Sequence, residues 1–182
     1  MSGMNQGQLR AARERIVEDH LAAEVDHDFA RALATFARPR YEIAATSEVH
    51  DGADAVSAFY RESDTAFPDF QLVTRRIQYA DDAVFHTVIF RGTHLGAWRG
   101  LPATGRRVEY PMLNVFLFEE DRLVCEEMYF DLLTPLKQLG IARDPTSVSG
   151  RIGAALNHPL TVGGALLRAA FHPRESRGRG GE

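Results

Sequence analysis

Apolar residues recur along this chain with two different periods, and the change of period divides it. Ile16, Val17, His20, Leu21 and Val25 fall on one face of a helix, leaving Arg13, Glu14, Glu18 and Asp19 for water. Asp28 is placed to cap a second short helix that carries Phe29, Leu33 and Phe36. Beyond a break at "ARPRYE", Asp51 is positioned to cap a third helix on which Val56, Phe59, Tyr60 and Ser63 share a face. The first half is therefore expected to be helical. From Phe70 onward the period shortens. "FQLVTRRIQYA", "AVFHTVIFRGTH", "RRVEYPMLNVFLF" and "RLVCEEMYFD" are rich in Val, Ile, Phe, Tyr and Thr and bounded by turn residues, as strands are. "ADDA" and "EEDR" suit hairpin turns, and "GAWRGLPATG" a longer loop.

Helices followed by a run of antiparallel strands predict an α+β fold, a curved sheet with helices against one face and an apolar cavity between the layers. The domain is expected over residues 1–140. Residues 141–182 form an extension, with helical spacing in two pieces over 147–171 broken at Pro159, and a tail over 172–182 whose composition predicts disorder.

The register of the last two strands decides which side chains meet. If Glu120 and Asp121 form a two-residue turn, Glu119 pairs with Arg122, and Phe116 then faces Cys125, Asn114 faces Glu127, Met112 faces Tyr129 and Tyr110 faces Asp131. The opposite side collects Leu113, Val115, Leu117, Val124, Met128 and Phe130, with Glu126 as the exception. One face is nearly pure hydrocarbon. The other mixes apolar residues with an amide, a phenol and two carboxylates, which fits either a binding-site wall or a solvated face.

The string "FRGTHLGAWRGLPATGRRVEY", an aromatic strand, and then "DRLVCEEMYFDLLTPLKQLG" resemble the SnoaL-like polyketide cyclase (ester cyclase) branch of the nuclear transport factor 2-like superfamily. The matching positions are Gly92, Thr93, His94, Gly96, Trp98, Gly100, Pro102, Thr104, Gly105, Phe130, Asp131, Gln138, Leu139 and Gly140, while the turn "EDRL" lacks the usual glycine. The resemblance implies a cone-shaped α+β fold, often dimeric, with a cofactor-free pocket. It implies that Asp131 acts as general acid/base in an intramolecular aldol closure on a hydrophobic, carbonyl-bearing small molecule. Limonene-type epoxide hydrolases of the same superfamily add an Arg-x-Asp pair on an earlier strand. Here Val88 and Phe90 stand at those places, which argues against hydrolysis.

Each residue has a structural reading beside the functional one. Asp131 either caps the helix "LLTPLKQLG" or moves protons, and the two roles are compatible. His86 is a proton relay or a satisfied core histidine. Asn114 and Tyr129 orient a carbonyl or enolate, or complete a buried network. Glu127, four residues from Asp131, lies roughly 13 Å away along the strand, too far for a carboxylate pair. The expected pocket wall comprises Tyr60, Phe67, Val88, Phe90, Trp98, Tyr110, Met112 and Phe116 together with Glu127.

Composition narrows the partners. A net charge of −4 with interspersed signs and no basic stripe before the tail argues against nucleic acid, and no apolar run reaches the roughly 18 residues of a membrane span. One cysteine, Cys125, excludes an internal disulfide framework, and with no apolar leader the expected location is cytoplasmic. Cys125 has no evident basic partner and reads as a small buried residue. The histidines show no metal-ligand spacing, so neither metal nor cofactor is expected. The expected partners are a hydrophobic small molecule and a second copy of the chain. A binding module without catalysis is the alternative reading, separated from an enzyme by whether proton transfer is lost on mutation.

Overall fold

The computed structural model describes residues 5–171, and the tail expected over 172–182 lies outside them. Contacts divide the chain into Met1–Ile141 and Ala142–Glu182. In the first unit, helix α1 (Gln6–Val25) opens with a capping box at Asn5, and α2 (Phe29–Ala34) is capped by Asp28, whose carboxylate accepts from the Arg31 amide at 3.1 Å. Two short strands follow, β1 (Arg40–Ile43) and β2 (Glu48–Asp51), then α3 (Ala53–Ala66). Four long strands complete the sheet: β3 (Gln71–Tyr79), β4 (Ala83–Thr93), β5 (Arg107–Glu119) and β6 (Arg122–Phe130). A last short helix is α4 (Leu133–Gln138).

The strands lie in the order β2-β1-β6-β5-β4-β3, giving a curved, unclosed, mainly antiparallel sheet in which only β1 and β6 run parallel. Three expectations need correction. The stretch read as all-helical contains β1 and β2, each only four residues long, too short for alternation to show. Asp51 ends β2, and the cap of α3 is Gly52, without a side-chain bond. The β5–β6 register begins as expected, with Glu119 opposite Arg122 and Phe118 opposite Leu123, and then slips, because Leu117 pairs with Cys125. Val124 is thus an extra residue in β6, a bulge.

The slip turns over the rest of β6. Glu126 comes opposite Phe116, Met128 opposite Asn114 and Phe130 opposite Met112, and these share the helix-covered face. Cys125, Glu127 and Tyr129 go to the other face, contrary to the simple hairpin count.

Two apolar clusters fill the concave side. One gathers Val17, Phe36, Tyr41, Val56, Tyr60, Val84, Phe116, Phe118 and Leu123 from helices and strands. The other gathers Ala66, Phe67, Trp98, Val108, Tyr110 and Leu139, with Phe70, Phe90 and Phe130 against it. Phe70 stacks on Phe90 with centroids 5.9 Å apart, and Phe90 on Tyr110 at 5.1 Å, an aromatic band across neighbouring strands.

In the second unit, α5 (Val148–Asn157) is capped by Ser147, whose hydroxyl accepts from the Gly150 amide at 3.0 Å. A π-helical turn (Pro159–Gly163) begins at the proline expected to break the helix and leads into α6 (Gly164–Phe171). No helix among the described residues is long and apolar enough to cross a membrane.

Candidate active site

Between the two clusters the concave face changes character. Along β4 the inward residues run Phe90, Val88, His86, Val84; along β5 they run Tyr110, Met112, Asn114, Phe116. The outer members of each series belong to one cluster or the other, and the middle two belong to neither. Val88, His86, Met112 and Asn114 are nonetheless buried. They form a seam two inward residues deep, about 7 Å along each strand at ~3.3 Å per residue.

Polar atoms of the seam lack partners. Asn114 is 1% exposed, and neither its amide nitrogen nor its amide oxygen makes a hydrogen bond. Its cross-strand neighbour His86 holds the Thr74 hydroxyl at 2.9 Å through Nε2, while Nδ1 is unpartnered. Burial lowers the His86 pKa, against a smaller opposing pull from Glu24, so the ring is neutral at pH 7.

Beside the seam lies a buried acid–base group that simple reading of the motifs misses. His20 of α1 is fully buried, with Nε2 3.4 Å from Glu24 Oε1 and 3.2 Å from Glu126 Oε2. Its Nδ1–H points at the Thr35 hydroxyl, 2.9 Å away, and that hydroxyl donates to the Ala32 carbonyl. The Tyr41 hydroxyl lies 3.0 Å from His20 Nε2 and 3.2 Å from Glu24 Oε1, and Tyr60 reaches the same Glu24 oxygen at 3.3 Å. Glu24 Oε2 and both Glu126 oxygens have no hydrogen-bond partner.

The charges of this group follow from their surroundings. Burial pulls the His20 pKa down, but Glu24 and then Glu126 outweigh it and raise it to about 10, so the ring is an imidazolium at pH 7. Burial pushes Glu24 toward its neutral form, and the His20 charge with donors from His20, Tyr41 and Tyr60 overcomes this and holds it ionised. Glu126 goes the other way. Burial and repulsion from Glu24 raise its pKa more than His20 lowers it, which favours the carboxylic acid. One buried cation thus faces two buried carboxyls, and a set without net charge requires that one of the carboxyls hold a proton.

His20, Glu24 and Glu126 are also a donor set for a metal ion, with ligating atoms within 4.8 Å of one another, although the histidine spacings suggested none. A metal at Nε2 would have to displace the proton that the two carboxylates otherwise hold there. Donation from both tyrosines also occupies Glu24 Oε1. The group as folded is a proton network.

The residues expected to form the site divide. His86 and Asn114 lie together on the seam, and Tyr60, Phe67, Val88, Trp98, Tyr110, Met112 and Phe116 are all buried. Phe90 belongs to the aromatic band. Tyr129 and Glu127 do not join them. They sit on the opposite face, where the Tyr129 hydroxyl donates to Glu127 at 2.7 Å, because the Val124 bulge inverted their strand.

Asp131 is exposed and binds the start of α4, accepting from the Leu133 amide at 3.0 Å and the Thr134 hydroxyl at 2.6 Å. Those bonds, the Thr134 hydroxyl first, hold its carboxyl below the usual range, opposite to a base poised by burial. Its observed work is to fasten the helix entry. Asp131→Ala is expected to lower the thermal midpoint modestly, which melting of the variant checks.

Signals for the missed residues exist in hindsight: His20 interrupts the apolar stripe of α1, Glu24 lies four residues on along the same face, and Glu126 interrupted the hydrocarbon side of β6. Cys125 is buried, with its thiol pushed up to about 12 by burial, so it is unreactive. His94 is also buried, its Nδ1 near the Thr104 hydroxyl at 3.2 Å and its ring against Phe67 and Trp98, an arrangement that anchors the loop. A surface recess of about 700 Å³, lined by Asp69, Gln71, Arg91, Arg107, Glu109 and others, is charged and lacks the apolar wall expected of the pocket.

An open α+β sheet wrapped on helices, with polar side chains buried at its centre, defines a protein of the nuclear transport factor 2-like fold. The chain belongs to the SnoaL-like polyketide cyclase family, whose model matches residues 14–139. Solved structures agree on the fold. AclR, a putative hydroxylase from Streptomyces galilaeus, is 20% identical with a TM-score of 0.63, over 73% of this chain and 98% of that one. TsrD from Streptomyces laurentii is 27% identical, TM-score 0.62, over 73% and 98%. IdmH, a putative polyketide cyclase from Streptomyces antibioticus, is 23% identical, TM-score 0.59, over 70% and 98%. Among curated protein sequences none matches.

Proposed function

We propose that this protein is a small acid–base enzyme of the cyclase type that binds a hydrophobic, carbonyl-bearing molecule in the seam between its two apolar clusters. The carrying observation is Asn114, a buried amide with donor and acceptor both unused, next to the free Nδ1 of His86. An unpaired buried polar group costs about 1–3 kcal/mol, so such a pair is retained where a ligand uses it. Apolar walls with a few convergent polar groups are the usual composition of a small-molecule site. Asn114 Nδ2 suits a carbonyl or enolate oxygen, and His86 Nδ1 suits a second polar atom of the same ligand.

The family and the likeness to IdmH support cyclase chemistry on a polyketide-like substrate. Asn114→Leu tests the reading. With the amide removed, an apolar ketone such as β-tetralone is expected to bind about tenfold or more weakly while the fold gains stability, because an unsatisfied amide has left the core. Undiminished binding by Asn114→Leu sinks the seam as the site.

A further inference from the structure

We propose that Glu24 and Glu126 are catalytic residues that exchange a proton through a bound ketone, one taking it from carbon as the other gives it to oxygen, with His20 as their shared counter-charge. This rests on the seam as the binding site and adds the chemistry done there. Three observations carry it. Both carboxyls are buried, and Glu126 stands on β6 opposite Phe116, the next inward residue of β5 after Asn114. The oxygens available for chemistry, Glu24 Oε2 and Glu126 Oε1, make no hydrogen bond, whereas Glu24 Oε1 is anchored by Tyr41 and Tyr60 and Glu126 Oε2 pairs with His20. His20 Nε2 stands nearly midway, 3.4 Å from one carboxyl and 3.2 Å from the other.

The step balances within the protein. Glu24 carboxylate removes a proton from the carbon next to the carbonyl. That C–H electron pair becomes the C=C bond, and the carbonyl oxygen takes the proton of the Glu126 carboxyl. The product is the enol, with Glu24 now neutral and Glu126 ionised. The reverse step restores the starting state, and so does attack of the enol carbon on a second carbonyl of the substrate, in which the enol O–H returns its proton to Glu126 and the oxygen of the attacked carbonyl takes the proton from Glu24, without any co-reactant.

His20 explains why the exchange is affordable in an apolar interior. A buried carboxylate is stable only beside a compensating charge. Because the imidazolium is nearly equidistant from the two, the negative charge moves from Glu24 to Glu126 without losing its counter-ion. Nδ1–H bonded to Thr35, itself tied to Ala32, fixes the ring between the two. His20 is thus a positioning residue, and the two glutamates touch the substrate.

The test uses the full chain, with β-tetralone as probe. Binding is followed through the fluorescence of Trp98, the only tryptophan, and exchange of the probe's α-hydrogens in D2O by proton NMR. The wild type is expected to bind the probe and accelerate exchange. Glu24→Gln and Glu126→Gln, both isosteric, are expected still to bind it and to lose exchange by about 100-fold or more each.

Binding by the wild type without accelerated exchange, or a loss confined to one glutamine variant, overturns the pair and leaves the seam standing as a binding site. Failure of the wild type to bind overturns both. Infrared spectra of the wild type need no variant. A band from a buried protonated carboxyl is expected, and its absence at neutral pH also overturns the assignment to Glu126.

Discussion

Replacing His20 by leucine is expected to destabilise the protein by about 3–5 kcal/mol, the cost of leaving a buried charge without its partner. Leucine fills the apolar space against Phe36 and Phe116, whose rings meet the imidazole at 5.3 and 5.5 Å, so packing is not the cause. The cause is Glu24, which keeps a buried carboxylate with two tyrosine donors and no cation. Chemical denaturation measures the loss, and the double variant His20→Leu/Glu24→Leu is expected to recover a large part of it, because an apolar pair costs less than a broken ionic one.

The same pair gives the wild type a pH signature. The His20 pKa is about 10 when folded and near 6.5 when unfolded, so the folded state holds an extra proton between these values. This contribution is complete below about pH 6.5 and is lost as pH rises toward 10. Thermal midpoints over that range are expected to fall in the wild type and to stay flatter in His20→Leu.

Gly96→Ala is the second large effect. A Cβ at Gly96 would lie 2.1 Å from the backbone oxygen of Thr65, in the last turn of α3. That oxygen cannot swing aside as a side chain would. The loop also donates two amides, Leu95 and Gly96, to the Ala66 carbonyl at 2.9 and 3.3 Å, closing the end of the helix. An added methyl therefore has to lift the loop off α3, at a cost of about 1–3 kcal/mol or more.

Trp98 rides on this loop, held by its mutual backbone bonds with Leu101 and by Arg99, whose amide donates to Glu62 at 2.8 Å. Emission of the single tryptophan is expected to shift to the red in Gly96→Ala before global unfolding. An unshifted spectrum with wild-type stability would show that the helix end yields after all.

The long strands and the loop between them were legible because their signals are local. Alternation runs through nine to thirteen residues in each of β3 to β6. The motif from Gly92 to Gly105 has local physical reasons too, as Gly96 against Thr65 shows. His86 and Asn114 were readable as neighbours because β4 and β5 pair without interruption.

What could not be read is what depends on long-range fit. One unannounced residue, Val124, reassigned every side chain of β6 beyond it, so Tyr129 and Glu127 exchanged faces with Met128 and Glu126. The His20, Glu24, Tyr41, Tyr60 and Glu126 group draws on four separate elements, and only its His20–Glu24 pair, four residues apart on α1, has a spacing the chain itself shows. Asp131 stood at a motif position, yet its two nearest donors turn it toward its own helix.

That bulge has a further meaning for how such a protein changes over generations. Ordinary substitutions alter one side chain at a time. Drawing Val124 into the ladder opposite Leu117 would instead exchange the whole inward set of the last strand, withdrawing Glu126 and Met128 together and presenting Glu127 and Tyr129 to the interior. Flattening one bulge thus works as a change of reagent on an unchanged frame, a short step between related chemistries that many separate substitutions would otherwise have to cross.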